Sequence, residues 1–141
     1  MKQIFMDTNV VIDFLANRQP FSLDAAKLFN MSVEGRVKIH ISAVSYNNIY
    51  YVLRQSLTNN ATIKLLESLA DMTEITDVND KVIRQSLKTD FKDYEDAIQY
   101  YSALTIPNID FIVTRNTKDF KRSSLPVLTS IEAIALLNSE I

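Results

Sequence analysis

Residues 3–15 read QIFMDTNVVIDFL and carry the clearest structural pattern near the start of the chain. A short apolar run over residues 3–6 stops at the polar sequence Asp7-Thr8-Asn9. Residues 10–16 then place apolar side chains at the spacing of one helix face. The pattern predicts a buried strand that is followed at once by a helix, with a carboxylate at the junction.

The rest of the chain repeats this alternation of short apolar runs and helical segments. Residues 111–113, Phe-Ile-Val, are the clearest further strand, and apolar residues alternate with polar ones over residues 37–41, as in a half-buried strand. Brief strands are also predicted at residues 74–77 and 127–128. Helices are predicted from a Ser22 cap to near Gly35, from a Ser42 cap to residue 53, at about 61–70, around 82–87, at 93–104 and after a Ser130 cap.

Strands that alternate with helices predict an α/β protein. Such chains form a mostly parallel sheet through right-handed crossovers, and helices cover both faces of the sheet. The length of 141 residues suits one domain, and the chain contains no linker, internal repeat or low-complexity segment. We therefore expect a single domain over residues 1–141.

The composition excludes several kinds of site. The chain has no cysteine, one histidine (His40) and one glycine (Gly35), so it cannot form thiolate sites, two-histidine metal motifs or glycine-rich phosphate loops. The net charge of -2 gives no general attraction to nucleic acid. No apolar run approaches the roughly 20 residues of a membrane span, and residues 1–9 lack a signal-peptide pattern, so we expect a cytoplasmic protein. The chemistry must come mainly from carboxylates.

Three acids that are distant in sequence are expected to meet at one edge of the sheet. Asp7 and Asp119 follow predicted strands, and Asp96 lies early in the helix that leads to residues 111–113. Ligands of open parallel sheets collect beyond the carboxyl ends of the strands. Neighbouring carboxylates raise each other's pKa unless a cation neutralises them, which favours Mg²⁺ or Mn²⁺. Each acid taken alone is also compatible with an ordinary turn or helix cap.

Four blocks of the chain resemble the PIN domain in their order and spacing. They are MDTNVVIDFL at 6–15, ISAVSYNNIYYVL at 41–53, DYEDAIQYYSAL at 93–104 and FIVTRNTKDF at 111–120. The chain is most similar to the VapC-like toxins of bacterial toxin–antitoxin systems. This resemblance implies a three-layer α/β/α sandwich and a ribonuclease that depends on Mg²⁺ or Mn²⁺. It assigns Asp7, Asp96 and Asp119 as catalytic acids and metal ligands, with Asp93, one helical turn from Asp96, as a further metal ligand.

Two positions depart from the family's pattern. Asn48 stands where relatives usually carry a glutamate, and Asn116 stands where many carry an aspartate, with Asp119 as its replacement. An amide oxygen can contact a metal, but it carries no charge and cannot act as a general base. We therefore expect weaker metal binding than in a four-acid site, with one occupied site rather than two. In a catalytic role, Asn48 and Asn116 would orient water or a phosphate oxygen.

The resemblance also indicates where substrate and partners bind. Thr8 and Thr114 would donate hydrogen bonds, and a basic cluster around Phe120, which includes Arg115 and Lys118, would contact phosphates of an RNA substrate. The alternative is that the basic cluster is solvated and that Phe120 is a core residue. Phe14, Phe21 and Phe29 either pack in the core or contact an antitoxin protein or the second subunit of a homodimer.

Three functions are compatible with these residues. The first is a metal-dependent endoribonuclease of the toxin type. The second is a PIN-fold protein that has lost catalysis and acts by binding RNA or protein. The third is a phosphotransferase with Asp7 as its nucleophile, but the D-x-D signature of such enzymes fails because Asn9 is the second residue after Asp7. A trapped aspartyl-phosphate at Asp7 would identify the third function.

Overall fold

A five-stranded sheet forms the centre of the molecule, as described by a computed structural model for residues 1–140. The strands are β1 Lys2–Met6, β2 Val37–Ser42, β3 Glu74–Thr76, β4 Phe111–Val113 and β5 Val127–Leu128. Their order is β3-β2-β1-β4-β5, and every pair of neighbouring strands is parallel. This confirms the prediction of an α/β fold with a parallel sheet.

Helices connect the strands, and each helix predicted from the sequence is present. They are α1 Thr8–Leu15, α2 Ser22–Val33, α3 Ala43–Leu53, α4 Asn59–Met72, α5 Asp80–Leu87, α6 Tyr94–Leu104 and α7 Ser130–Ser139. A 3₁₀ helix covers Thr117–Phe120, between β4 and β5. Within residues 1–140, no helix combines the length and the apolar character that a bilayer span requires.

Both faces of the sheet are buried at its centre, which explains why β1 and β4 carry apolar residues at successive positions. Ile4 and Met6 of β1 pack into the larger core, to which α1, α2, α3, α4 and α7 contribute buried residues. Phe5, between them, points to the opposite face and packs with Tyr100 of α6 and with Phe120. Successive residues of a strand face opposite ways, so the sheet lies between two helical layers in an α/β/α sandwich.

The topology places the end of β1 beside the end of β4. The chain moves from β1 to β2 and β3 on one side, and then returns to add β4 on the other side of β1. The backbone N–H of Asp7 donates to the carbonyl of Val113 over 2.9 Å, which joins the two strand ends. Ligand sites of open α/β sheets lie at such reversals of strand order, and Asp7 occupies this one.

Helix caps agree with the sequence at some positions and differ at others. The Ser42 side chain accepts from the backbone N–H of Val44, as predicted for a cap of α3. The prediction of Ser22 as a cap is wrong, because Ser22 is the first residue of α2 and its hydroxyl is 3.0 Å from the amide nitrogen of Gln19. Ser130 is likewise the first residue of α7, and Thr129 caps that helix through a capping box with Glu132.

The aromatic residues whose role the sequence left open divide between core and surface. The rings of Phe14 and Phe29 stack with centroids 4.1 Å apart, and Phe29 is buried in the larger core. Phe120 is 1% exposed and belongs to the smaller core. Phe21, in contrast, leaves 40% of its surface exposed. Packing therefore accounts for Phe14, Phe29 and Phe120, while Phe21 is available to a partner.

Candidate metal centre

Asp7 is held rigidly at the junction between β1 and α1. One carboxylate oxygen accepts from the backbone N–H of Thr8 over 2.8 Å, and the other accepts from the hydroxyl of Thr114 over 2.7 Å. The residue is only 6% exposed. Burial raises the pKa of Asp7, the two hydrogen bonds lower it, and the charges of Asp119 and Glu95 raise it further. The carboxylate is therefore preorganised but carries a charge that its surroundings disfavour.

Asp96 is a second perturbed carboxylate of the site. It lies in the first turn of α6. Burial, followed by the negative charges of Asp7, Asp93, Asp119 and Glu95, raises the pKa of Asp96 to about 7. Near neutral pH this group is therefore partly protonated, and a cation placed beside it would favour the ionised form.

An acidic pocket of about 390 Å³ brings several of the predicted residues together. The lining of this acidic pocket includes Asp7, Thr8, Asn48, Glu95 and Asp96. Asn48 reaches it from α3, and the two neighbouring acids reach it from α6. The end of β1 and the start of α6 thus bring Asp7 and Asp96 to one pocket, whereas Asp119 does not line it.

Two charged residues of the acidic pocket were not predicted from the sequence. Glu95 lines the pocket and raises the pKa of both Asp7 and Asp96. Arg18, from the segment that follows α1, lines the same pocket. The DYEDA string, with three acids in four positions, was the available signal for Glu95. No local signal pointed to Arg18, because its segment returns to the site only in the folded chain.

A neighbouring charged groove of about 610 Å³ contains other predicted residues. Its lining includes Asp93, Asp96 and Asp119, together with the basic residues Lys92, Lys118, Lys121 and Arg122. Asp96 therefore faces both the acidic pocket and the charged groove. Asp93 also caps α6, because one of its oxygens accepts from the backbone N–H groups of Glu95 and Asp96 over 2.8 and 3.2 Å.

Arg115 and Asn116 are placed differently from the other predicted residues. The Nε atom of Arg115 lies 2.9 Å from a carboxylate oxygen of the buried Asp13, and its guanidinium stacks over the ring of Phe21 at 4.3 Å. This charge is already paired within the protein, and Arg115 lines neither the acidic pocket nor the charged groove. Asn116 precedes the 3₁₀ helix, and its backbone N–H donates to the Thr114 hydroxyl over 3.1 Å.

The donor set of the acidic pocket fits a hydrated divalent cation. Among residues 1–140, no three His, Cys, Asp or Glu side chains are grouped as ligands of a single ion. The pocket instead offers carboxylate and amide oxygens, and Gln99 beside them carries a buried amide oxygen without a hydrogen-bond partner. Mg²⁺ keeps several waters and commonly uses only one or two carboxylates. The residues therefore suit an ion that retains much of its hydration.

Solved structures with the same fold come from bacterial complexes. A chain of VapBC2 from Rickettsia felis, bound to a DNA fragment from the promoter, has a TM-score of 0.65 at 19% identity, over 89% of this chain and 96% of that chain. DNA-bound VapBC from Salmonella typhimurium has a TM-score of 0.68 at 18% identity, over 92% of this chain and 99% of that chain. A toxin-antitoxin complex from Klebsiella pneumoniae has a TM-score of 0.63 at 22% identity, over 90% of this chain and 97% of that chain. These similarities show a shared fold.

Sequence comparison identifies the family directly. No curated protein matches the sequence closely. The profile of the PIN domain matches residues 3–118, which include β1, the strand end that carries Asp7, and the whole of α6 with Asp96. The match therefore covers most of the chain and both central acids of the pocket. On this evidence the chain belongs to the PIN-domain family.

Proposed function

We propose that this protein is a metal-dependent endoribonuclease and the toxin component of a toxin–antitoxin system. The observation that carries the proposal is the pairing of Asp7 and Asp96 at the topological reversal of the sheet, where their surroundings raise the pKa of both carboxyl groups. Strongly perturbed carboxylates in one pocket are typical of functional sites. The PIN-domain family and the toxin–antitoxin complexes of the same fold support the choice of activity.

The acidic residues have distinct roles in this proposal. Asp7 and Asp96 would hold Mg²⁺ or Mn²⁺, with Glu95 and Asp119 adding negative charge around it. When bound, the ion supplies Lewis-acid chemistry that activates water and offsets charge on a phosphate. Thr114 keeps Asp7 oriented through its hydroxyl, and the amide of Asn48 provides a neutral polar contact in the pocket.

The charged groove suits a single strand of RNA. Lys118, Lys121 and Arg122 lie on its lining beside Asp96 and Asp119. Basic side chains contact the phosphates of a strand, and the acids, once a cation is present, mark the point where a phosphodiester would be cleaved. Arg18 in the acidic pocket offers a further phosphate contact. Arg115 has no part in this binding surface because Asp13 already pairs its charge.

The proposal includes an antitoxin and a homodimer as protein partners. The complexes with the same fold include VapBC assemblies and a toxin-antitoxin complex. An antitoxin would restrain the nuclease, and Phe21, with 40% of its surface exposed, is the one early phenylalanine that the core does not absorb. A toxin that cleaves cellular RNA would act in the cytoplasm.

A second candidate function is a PIN-fold protein with weakened catalysis that acts by binding RNA or protein. The neutral side chains of Asn48 and Asn116 favour it, since each removes a negative charge relative to the family pattern. The lack of a preassembled group of three acidic or imidazole ligands within residues 1–140 favours it as well. The two candidates differ in whether RNA is cleaved or only bound.

Cleavage of a mixed RNA pool with Mn²⁺ or Mg²⁺ tests the proposal. The unmodified protein, Asp7→Asn and Asp96→Asn are compared with the control Asp71→Asn, which alters an exposed acid of α4. We expect metal-dependent cleavage by the unmodified and control proteins and a loss of about 100-fold or more in the two pocket variants. Equal cleavage by all four preparations, or none by any, would reject the nuclease and favour the binding protein.

A further inference from the structure

Gln99 ties together three helices that supply the acidic pocket. It lies on α6 and is 3% exposed. Its side-chain N–H₂ donates to the hydroxyl of Ser45 on α3 over 3.0 Å and approaches the hydroxyl of Thr8 on α1 at 3.5 Å. Those two hydroxyls also bond to each other over 2.7 Å. With its nitrogen engaged on one side, the amide of Gln99 has a fixed orientation.

The remaining atom of that amide has no partner within residues 1–140. Gln99 Oε1 is buried and accepts no hydrogen bond there. Leaving a buried acceptor unsatisfied is energetically unfavourable, so such atoms in folded proteins are normally satisfied by a ligand or ordered water. Gln99 lines the acidic pocket together with Asp7, Asn48 and Asp96. The missing donor is therefore expected among the contents of that pocket.

The charge of the pocket identifies the kind of donor. Asp7, Glu95 and Asp96 attract a cation, and a cation with several retained waters directs their hydrogens outward. An amide oxygen is a suitable acceptor for such a hydrogen, and outer hydrogen bonds of this kind are a regular part of metal sites. Of residues 1–140, Arg18 is the one basic residue on the lining, and the three acids outnumber it, so the pocket keeps a net attraction for a cation.

From this arrangement we propose that Gln99 is an outer ligand of the metal site, whose Oε1 accepts a hydrogen bond from a water of the divalent cation held by Asp7 and Asp96. The inference rests on the metal site of the proposed function and adds a residue that the acidic pattern does not contain. It also compensates in part for the uncharged side chain of Asn48. Where a family relative has an acid at the position of Asn48, this chain has two amides, Asn48 and Gln99, that supply oxygen without charge.

The hydrogen bond between Gln99 and Ser45 also positions two residues of the acidic pocket, Asp96 and Asn48. Gln99 is three residues after Asp96 on α6, and Asn48 is three residues after Ser45 on α3. Residues at this spacing lie on one face of a helix. The bond from Gln99 to Ser45 therefore sets the separation of the helix faces that carry Asp96 and Asn48.

The test measures Mn²⁺ affinity without RNA, from the loss of the electron paramagnetic resonance signal of free Mn²⁺. Gln99→Met keeps the length of the side chain and removes its polar atoms, and Gln99→Glu keeps an oxygen acceptor. The matched control is Ser102→Ala, which removes a buried hydroxyl without a partner from the same helix but away from the acidic pocket. We expect Gln99→Met to weaken Mn²⁺ binding about tenfold, with Ser102→Ala within about threefold of the unmodified protein. Gln99→Glu should bind Mn²⁺ at least as tightly as the unmodified protein, because it keeps the acceptor and adds a carboxylate to the pocket.

A measurement on the unmodified protein covers the case in which Gln99→Met fails to fold. In a ¹H–¹⁵N spectrum, the side-chain N–H₂ signals of Gln99 should shift when Mg²⁺ is added, while the exposed Gln85 serves as an internal reference. Unshifted Gln99 signals at saturating Mg²⁺, equal Mn²⁺ affinity in Gln99→Met, or an equal loss in Ser102→Ala would overturn the inference. The two proposals can fail separately. If Mn²⁺ binding requires Gln99 but the protein does not cleave RNA, the inference about Gln99 holds and the nuclease is rejected. Absence of Mn²⁺ binding to the unmodified protein would overturn both.

Discussion

Asn48 shows how a single side chain sets the charge of the pocket. It projects from α3 into the cavity that contains Asp7 and Asp96, where the family pattern usually has a glutamate. Neighbouring negative charges already raise the pKa of Asp7 and of Asp96. A further acid would add repulsion in the metal-free protein and attraction for a bound cation. An asparagine at this position avoids the added repulsion and lacks the added attraction for a cation.

We predict that Asn48→Glu strengthens Mn²⁺ binding by about tenfold, because one added carboxylate joins the pocket of Asp7 and Asp96. The same variant should have a lower melting temperature without metal. Isothermal titration calorimetry and thermal unfolding measure the two effects. Asn47→Glu, which adds the same charge at the exposed neighbouring position, is the matched control. Equal Mn²⁺ affinity in the two glutamate variants would contradict the placement of Asn48.

At the scale of elements, an ion pair with one buried member joins α1 to the segment after β4. Asp13 on α1 is 1% exposed, and its carboxylate lies 2.9 Å from Nε of Arg115. Burial raises the pKa of Asp13, and the charge of Arg115 opposes that rise. Since Thr114 holds Asp7 and precedes Arg115 directly, the ion pair also steadies the connection that supports the pocket.

We predict that Arg115→Met destabilises the protein by about 3 kcal/mol, because it removes the ion-pair partner of the buried Asp13 carboxylate and leaves only the weaker influence of the Arg18 charge. Urea unfolding measures the change in the free energy of unfolding. The control is Arg84→Met, which breaks the exposed pair with Asp80 and should cost less than about 1 kcal/mol. The double variant Asp13→Leu with Arg115→Met should recover much of the loss. A similar loss in the free energy of unfolding for Arg115→Met and Arg84→Met would contradict a special role for the burial of Asp13.

At the scale of the whole molecule, the parallel topology concentrates negative charge at one edge of the sheet. Asp7 follows β1, and α6 brings Glu95 and Asp96 beside it, so acids from distant parts of the chain share one region. The folded state raises the pKa of Asp96 above its value in the unfolded chain. Folding therefore favours the neutral carboxyl group, and this stabilisation is lost as the pH rises through about 7.

We predict that Asp96→Asn stabilises the metal-free protein, and more at about pH 8 than at about pH 5. At the higher pH the folded protein carries an ionised Asp96 beside like charges, whereas at the lower pH the group is already neutral. The expected gain near pH 8 is about 1–2 kcal/mol, because solvent screens a half-buried group. Thermal unfolding at both pH values measures it, with Asp71→Asn as the control. A gain in stability that is larger at about pH 5 than at about pH 8 would contradict a raised pKa of Asp96 in the folded protein.

The local pattern of the sequence determined the elements of this fold. Alternating apolar runs and helical spacing predicted the strands and helices, and the acids after β1 and within α6 could be recognised from their blocks. These features depend on neighbouring residues, whose periodicity is visible in one dimension. The parallel pairing of all neighbouring strands confirms the arrangement expected of alternating strands and helices.

The tertiary structure decided which polar groups meet. Gln99 interrupts an apolar helix face as a single amide, and only the approach of α1 and α3 gives it Thr8 and Ser45 as partners. Arg115 belongs to a basic cluster in the sequence, yet the fold turns it to Asp13. Hydrogen bonds and ion pairs act over about 3 Å and depend on direction, so they follow from how helices are rotated and packed. The sequence by itself determined the elements and the acids, and the fold determined their partners.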